Sequence, residues 1–207
     1  MASHTKKCPH CKNLPLFDYY LVDDYFTSEE LDLIWTDIDE AIENNWFEGN
    51  SKEHNGTAIN TKTKKYLAER YLFWPAKYKN IRETNLAEIS FKVFQGHTKK
   101  YSETCFAALN SLETRQSHFL VSCYLNGGYY KAHRDNGITT ALYWLSRDGF
   151  EFEGGDLFFP EINEWVRFKH NRMVMFPSKA LHAVSPVIMD ENAKLQSGRF
   201  CITQFME

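Results

Sequence analysis

The chain has 207 residues, 43% of them apolar and 15% aromatic, which suits one domain with a real core. Its formal net charge is −3 with lysine and arginine scattered along it, a balance that argues against the clustered basic patch of a nucleic-acid binder. The opening MASHTKKCPHCKN has no apolar run, and no stretch approaches the ~18 apolar residues of a membrane span. The expectation is therefore a soluble, cytoplasmic protein with neither nucleic acid nor membrane as partner. An odd number of cysteines (Cys8, Cys11, Cys105, Cys123 and Cys201) reads as free thiols in a reducing compartment.

Residues 1–16 are polar, carry Pro9 and Pro15, and are read as a tail ahead of a single domain over 17–207. Within that tail Cys8 and Cys11 form a C-x-x-C, but a zinc site needs four ligands and the chain holds no second such pair. A helix is predicted after Thr27, which can cap it, with Glu30 completing a capping box. Leu31, Ile34, Trp35, Ile38, Ala41 and Ile42 recur at helical spacing as one apolar stripe, and Asn44-Asn45 and Gly49 end it. Residues 46–84 carry Gly56, Pro75 and many aromatics, and predict a strand or two among loops. A second helical stretch is predicted from Asn85 as cap, with Leu86, Ile89 and Val93 on one face. The pattern resumes after Gly96 through Tyr101, Cys105, Ala108, Leu109 and Leu112. The helical part thus spans about 23–113.

From His118 the period changes to two. Short β-rich runs follow, from HFLVSCYL to GRFCITQFM, separated by turn residues such as Asn126-Gly127-Gly128, Asn136-Gly137 and Gly154-Gly155. Gly154-Gly155 is read as a strand bend. About eight such strands over 118–206, after helices, define an α+β fold: a jelly roll, cupin-like, with N-terminal helices packed on one face.

Three residues carry the chemistry. His133 and Asp135 stand two apart on a predicted strand and so face one way. His182 lies on a later strand that a rolled sheet can bring beside them. Two imidazoles and one carboxylate make a facial triad that leaves three positions of an octahedral metal open, as in non-haem Fe(II) oxygenases. Arg199, on the last strand, is suited to grip a distal carboxylate in bidentate fashion. Thr203 and Cys201 share its parity, and Tyr124 can add a phenol.

The runs CYLNGGYYKAHRDN, ITTALYWLS, FEGGDLFFP, MVMFPSKALHAVSPV and GRFCITQF, with the opening VDDYFTSEELDLIW, resemble the prolyl 4-hydroxylase branch of the 2-oxoglutarate/Fe(II)-dependent dioxygenases. The resemblance covers roughly residues 20–207. It implies a double-stranded β-helix, with iron held by His133, Asp135 and His182. It implies that Arg199 binds the far carboxylate of 2-oxoglutarate, assisted by Thr203 and Tyr124, with Tyr130 on the substrate side. It also implies O₂ as co-substrate, ascorbate as a reductant, and hydroxylation of an organic substrate with release of succinate and CO₂. A prolyl residue and a free amino acid both fit, so the partner is a small molecule or a peptide or protein. Two features depart from the family pattern. The loop 189–198 is long, and is read as a lid over an entrance shaped by the helices and residues 46–84. A position that often carries a cosubstrate-binding tyrosine is Trp144 here. Two other classes share the fold: a non-catalytic metal- or 2-oxoglutarate-binding sensor, and a cupin-type Zn or Mn enzyme. Neither needs the full triad together with a dicarboxylate anchor.

Overall fold

The computed structural model describes residues 17–49, 57–75 and 84–207. The tail over 1–16, with Cys8 and Cys11, lies outside the described residues. In chain order the elements are β1 (Tyr20–Val22), α1 (Ser28–Glu43), β2 (Glu48–Gly49), β3 (Ala68–Glu69), β4 (Tyr71–Phe73), α2 (Asn85–Ser90), α3 (His97–Ser102) and β5 (Ser117–Tyr124). There follow β6 (Tyr129–His133), β7 (Thr139–Leu145), β8 (Glu153–Gly154), β9 (Leu157–Phe159), β10 (Glu164–Val166), β11 (Arg172–Pro177), β12 (His182–Val184), β13 (Val187–Ile188) and β14 (Arg199–Met206).

Two antiparallel sheets face each other. The larger runs β1-β11-β7-β14-β5-β4-β2 and the smaller β10-β9-β12-β6-β3, while β13 and β8 form a separate pair. All eight predicted strand runs are present. Alternation along each long strand divides the core in two. Leu142, Trp144, Val174, Phe176 and Cys201 point between the sheets, where they meet Leu157, Phe159 and Val184. Phe119, Val121, Tyr143, Met173 and Ile202 point outward and are covered by the helices.

The covering is led by α1. Thr27 Oγ1 accepts from the Glu30 N–H, and the Glu30 carboxylate accepts from the Thr27 N–H, so the predicted capping box forms. Ile34, Ile38 and Ala41 are fully buried against the sheet, and burying each isoleucine contributes roughly 2 kcal/mol. Asp37 sits on this same face at 4% exposure, which the apolar stripe did not foretell. Its carboxylate accepts from the Leu86 N–H and the Asn85 side-chain amide, both at 2.8 Å. Thr84, not Asn85, therefore caps α2: its hydroxyl takes the Ala87 N–H, and Asn85 is free to reach α1. The stretch after Gly96 is not one helix. It breaks into α3 and a 3₁₀ turn at Ala107–Glu113. No helix among the described residues is long and apolar enough to cross a membrane.

Candidate active site

The smaller sheet places the two imidazoles. His133 ends β6 and His182 begins β12, and the two are direct cross-strand partners with ring centroids 4.2 Å apart. Asp135 lies just past the end of β6 rather than on the strand. It is brought back by its own N–H, which donates to Ser178 O at 2.9 Å, and by the Thr140 hydroxyl, which donates to Asp135 Oδ2 at 2.8 Å. Asp135 Oδ1 lies 3.6 Å from His133 Nε2, and Asp135 Oδ2 lies 3.5 Å from His182 Nε2. Ligand atoms of all three residues fall within 4.8 Å of one another.

The donor set fits a cation. His133 Nδ1 faces Lys131 O at 2.9 Å and His182 Nδ1 faces Ala180 O at 3.0 Å. A carbonyl can only accept, so each Nδ1 carries the proton and each Nε2 presents a lone pair to the centre. Burial, with His182 beside it, pushes the His133 pKa down to about 3, which keeps that ring neutral. One carboxylate and two imidazoles leave half of an octahedron to small ligands.

Arg199 stands at the far end of the same cavity, a space of about 340 Å³. It is 1% exposed. Its guanidinium is walled by the rings of Tyr124, Trp144 and Phe168 at 5.1, 5.3 and 5.2 Å. One N–H donates to Gly155 O at 2.9 Å, while Nε and the other terminal nitrogen Nη1 have no partner among the described residues. A buried cation with unused donors is a site for an anion. The long 189–198 loop does not shift Arg199, which pairs with Tyr124 across β14 and β5. Gly198 makes this possible, since a Cβ there would lie 2.2 Å from Cys123 Sγ.

Thr203 and Tyr124 line the same cavity, and so does Tyr130. The Tyr130 ring stacks on His133 at 3.6 Å, and its hydroxyl accepts from the Ala58 N–H. The buried Trp144 Nε1–H is unpartnered among the described residues, beside Arg199. The lid reading and the helical part of the entrance reading need correcting. Leu195 packs on the helix-side core and its carbonyl accepts a hydrogen bond from Cys123 Sγ, and no residue of 189–198 lines the cavity of the triad. From residues 46–84, Ala58, Arg70 and Trp74 do line the cavity, whereas no residue of α1, α2 or α3 does.

Sequence reasoning missed three contributors. Thr140 fixes Asp135, Gly155 seats Arg199, and Arg70 lines the cavity at 6% exposure. Thr140 could have been found, because it follows His133 and Asp135 on the next strand with inward parity. Arg70 sits between two strands of two and three residues, where no periodicity develops.

Residues 119–207 match the family model of the 2OG-Fe(II) oxygenase superfamily. No curated protein matches the chain. Among solved structures, a Pseudomonas putida prolyl-4-hydroxylase superposes with TM-score 0.61 at 13% identity, covering 92% of both chains. A Trichoplax adhaerens prolyl hydroxylase, solved with a hypoxia inducible factor oxygen degradation domain peptide fragment, gives 0.59 at 16% identity over 91% of this chain and 82% of that one. A 2OG-Fe(II) oxygenase family oxidoreductase from Burkholderia pseudomallei gives 0.53 at 14% identity, covering 91% and 84%. The match to the 2OG-Fe(II) oxygenase superfamily thus falls on the segment that bears the triad and Arg199. The chain's fold is that of the prolyl hydroxylases. Fe(II), 2-oxoglutarate and O₂ are the cofactors this family uses, and the His-Asp-His triad fits the iron.

Proposed function

We propose that this protein is a hydroxylase acting on a small organic molecule or a peptide, with residues 17–207 working as a single domain. His133, Asp135 and His182 hold the metal in this reading. Arg199 takes the far carboxylate of 2-oxoglutarate, with Thr203 and Tyr124 beside it, and Tyr130 borders the substrate. When bound, Fe(II) supplies O₂ activation coupled to oxidation of 2-oxoglutarate to succinate and CO₂, with one oxygen atom passed to a substrate carbon.

The chain's own groups supply placement. The two backbone carbonyls at Lys131 and Ala180 fix the imidazole tautomers. Thr140 donates to the Asp135 oxygen nearer His182 and holds the carboxylate in the plane of the triad. Arg199 sets how far into the cavity the cosubstrate sits, and the aromatic cage around it keeps water from its charge. The observation that carries the reading is a three-ligand cluster facing a buried, half-satisfied guanidinium across one cavity.

The test is succinate formation from 2-oxoglutarate with Fe(II), ascorbate and O₂, run on the wild type and two variants. Asp135→Ala should bring turnover down to background. Arg199→Ala should weaken 2-oxoglutarate binding about 100-fold, as loss of a charge-assisted pair implies, while metal binding persists. Full turnover in Asp135→Ala would sink the proposal.

A further inference from the structure

A second buried guanidinium faces the cavity, and neither the metal triad nor the 2-oxoglutarate anchor uses it. Arg70 is 6% exposed and lies between β3, which pairs with β6, and β4, which pairs with β5. It is therefore held where the smaller sheet hands over to the larger. One terminal N–H donates to Ser122 Oγ at 2.7 Å, and its guanidinium carbon sits 4.6 Å over the Tyr130 ring. No acid lies within ion-pair distance of it among the described residues, although Glu69 and Glu191 line a neighbouring pocket with it, and its Nε is buried without a partner. A buried cation with no carboxylate is costly unless something supplies the charge.

Its position separates it from the cosubstrate anchor. Ser122 lies opposite Cys201, whereas Tyr124 lies opposite Arg199, so the Arg70 anchor is two residues along both strands from Arg199. That is a step of about 7 Å. His133 already covers one face of the Tyr130 ring at 3.6 Å, which leaves the other face to Arg70. Arg70 is thus one aromatic ring removed from a metal ligand.

We propose that Arg70 recognises the carboxylate of the primary substrate, and that the substrate is a free amino acid rather than a residue inside a polypeptide. This rests on the hydroxylase reading above. A residue within a chain has no α-carboxylate to offer, while a cavity of about 340 Å³ is at the small end of ligand sites and suits an amino acid beside 2-oxoglutarate. The stack on Tyr130 pre-orients the planar fork, so a bidentate contact needs little reordering.

The experiment uses the full chain loaded with Mn(II) and 2-oxoglutarate under nitrogen, which keeps turnover off. The twenty standard L-amino acids and their carboxamides are titrated by calorimetry, and 2-oxoglutarate binding is measured separately. At least one amino acid should bind, and its carboxamide should bind at least ten-fold more weakly. Arg70→Gln should weaken the acid to the level of the amide, with 2-oxoglutarate affinity within two-fold of wild type. Arg70→Lys should restore part of the loss, and circular dichroism of both variants should match wild type. Equal binding of acid and amide, binding of no amino acid, or a loss confined to 2-oxoglutarate would each overturn the assignment. If the wild type fails to bind 2-oxoglutarate at all, the hydroxylase reading itself falls instead.

Discussion

Gly155 shows how one backbone position serves the site. Its φ of +69° is a conformation that side-chain-bearing residues rarely adopt, and its carbonyl takes a hydrogen bond from Arg199. A Cβ added there would meet Arg199 Nε at 3.1 Å and Cδ at 3.4 Å. Gly155→Ala should therefore do two things. It should cost about 1–2 kcal/mol of stability from the left-handed backbone. It should also displace the guanidinium and weaken 2-oxoglutarate roughly ten-fold. Calorimetric titration of 2-oxoglutarate beside a urea melt separates the two, and unchanged affinity would show that the glycine serves the backbone alone. In the sequence this glycine was visible only as a bend, because nothing local reveals what its missing side chain makes room for. The triad was legible for the opposite reason: His133, Asp135 and His182 are chemically distinctive side chains at spacings a rolled sheet can close. Arg70 is just as distinctive, yet its surroundings gave no register from which to aim it.

At the scale of elements, apolar periodicity foretold α1 and the long strands well, since each buries one continuous face. It could not foretell polar groups buried on those faces. Asp37 occupies a core position on α1 and accepts from the first turn of α2 at Leu86 and from Asn85. Its pairing is invisible to a pattern that counts only apolar residues. It also explains why Thr84 is the cap that a reading centred on Asn85 missed. Removing the carboxylate leaves the buried Leu86 N–H unpaired, at about 1–3 kcal/mol. Asp37→Ala should therefore lower unfolding free energy by about 2 kcal/mol, read from the urea midpoint at pH 7. The 2-oxoglutarate affinity should stay unchanged, because α1 and α2 do not touch the cavity. A drop of less than half that size would mean the contact is solvent-screened and the two helices are held by apolar packing alone.

For the whole molecule, the question is what ties the N-terminal leg to the double-stranded β-helix. Pairing of β1 with β11 extends the larger sheet by an edge strand that the sequence did not announce, since three half-buried residues carry no alternation. The leg is locked again just beyond it. The Tyr25 N–H donates to Asn171 O, and the Asn171 side chain exchanges two hydrogen bonds with the Phe26 backbone. Between these, Asp23 receives Arg172 Nε at 2.6 Å and a second guanidinium N–H at 3.0 Å, with Lys169 Nζ at 3.1 Å. The Arg172 hydrogen bonds hold the Asp23 carboxyl down, from an ordinary value of 3.8 to about 2. A folded pKa below the unfolded one means stability that is fully present above about pH 4 and lost as pH falls through 2. The side chain is 35% exposed, so solvent screening leaves the contribution at about 1 kcal/mol or less. Asp23→Asn should therefore be slightly less stable than wild type at pH 6, and the gap should close between pH 4 and pH 2. Urea midpoints at pH 6, 4 and 2.5 for the two proteins measure it. A gap that stays constant across that range would mean that the carboxylate's charge does not hold the leg, and that the β1–β11 ladder and Asn171 do so alone.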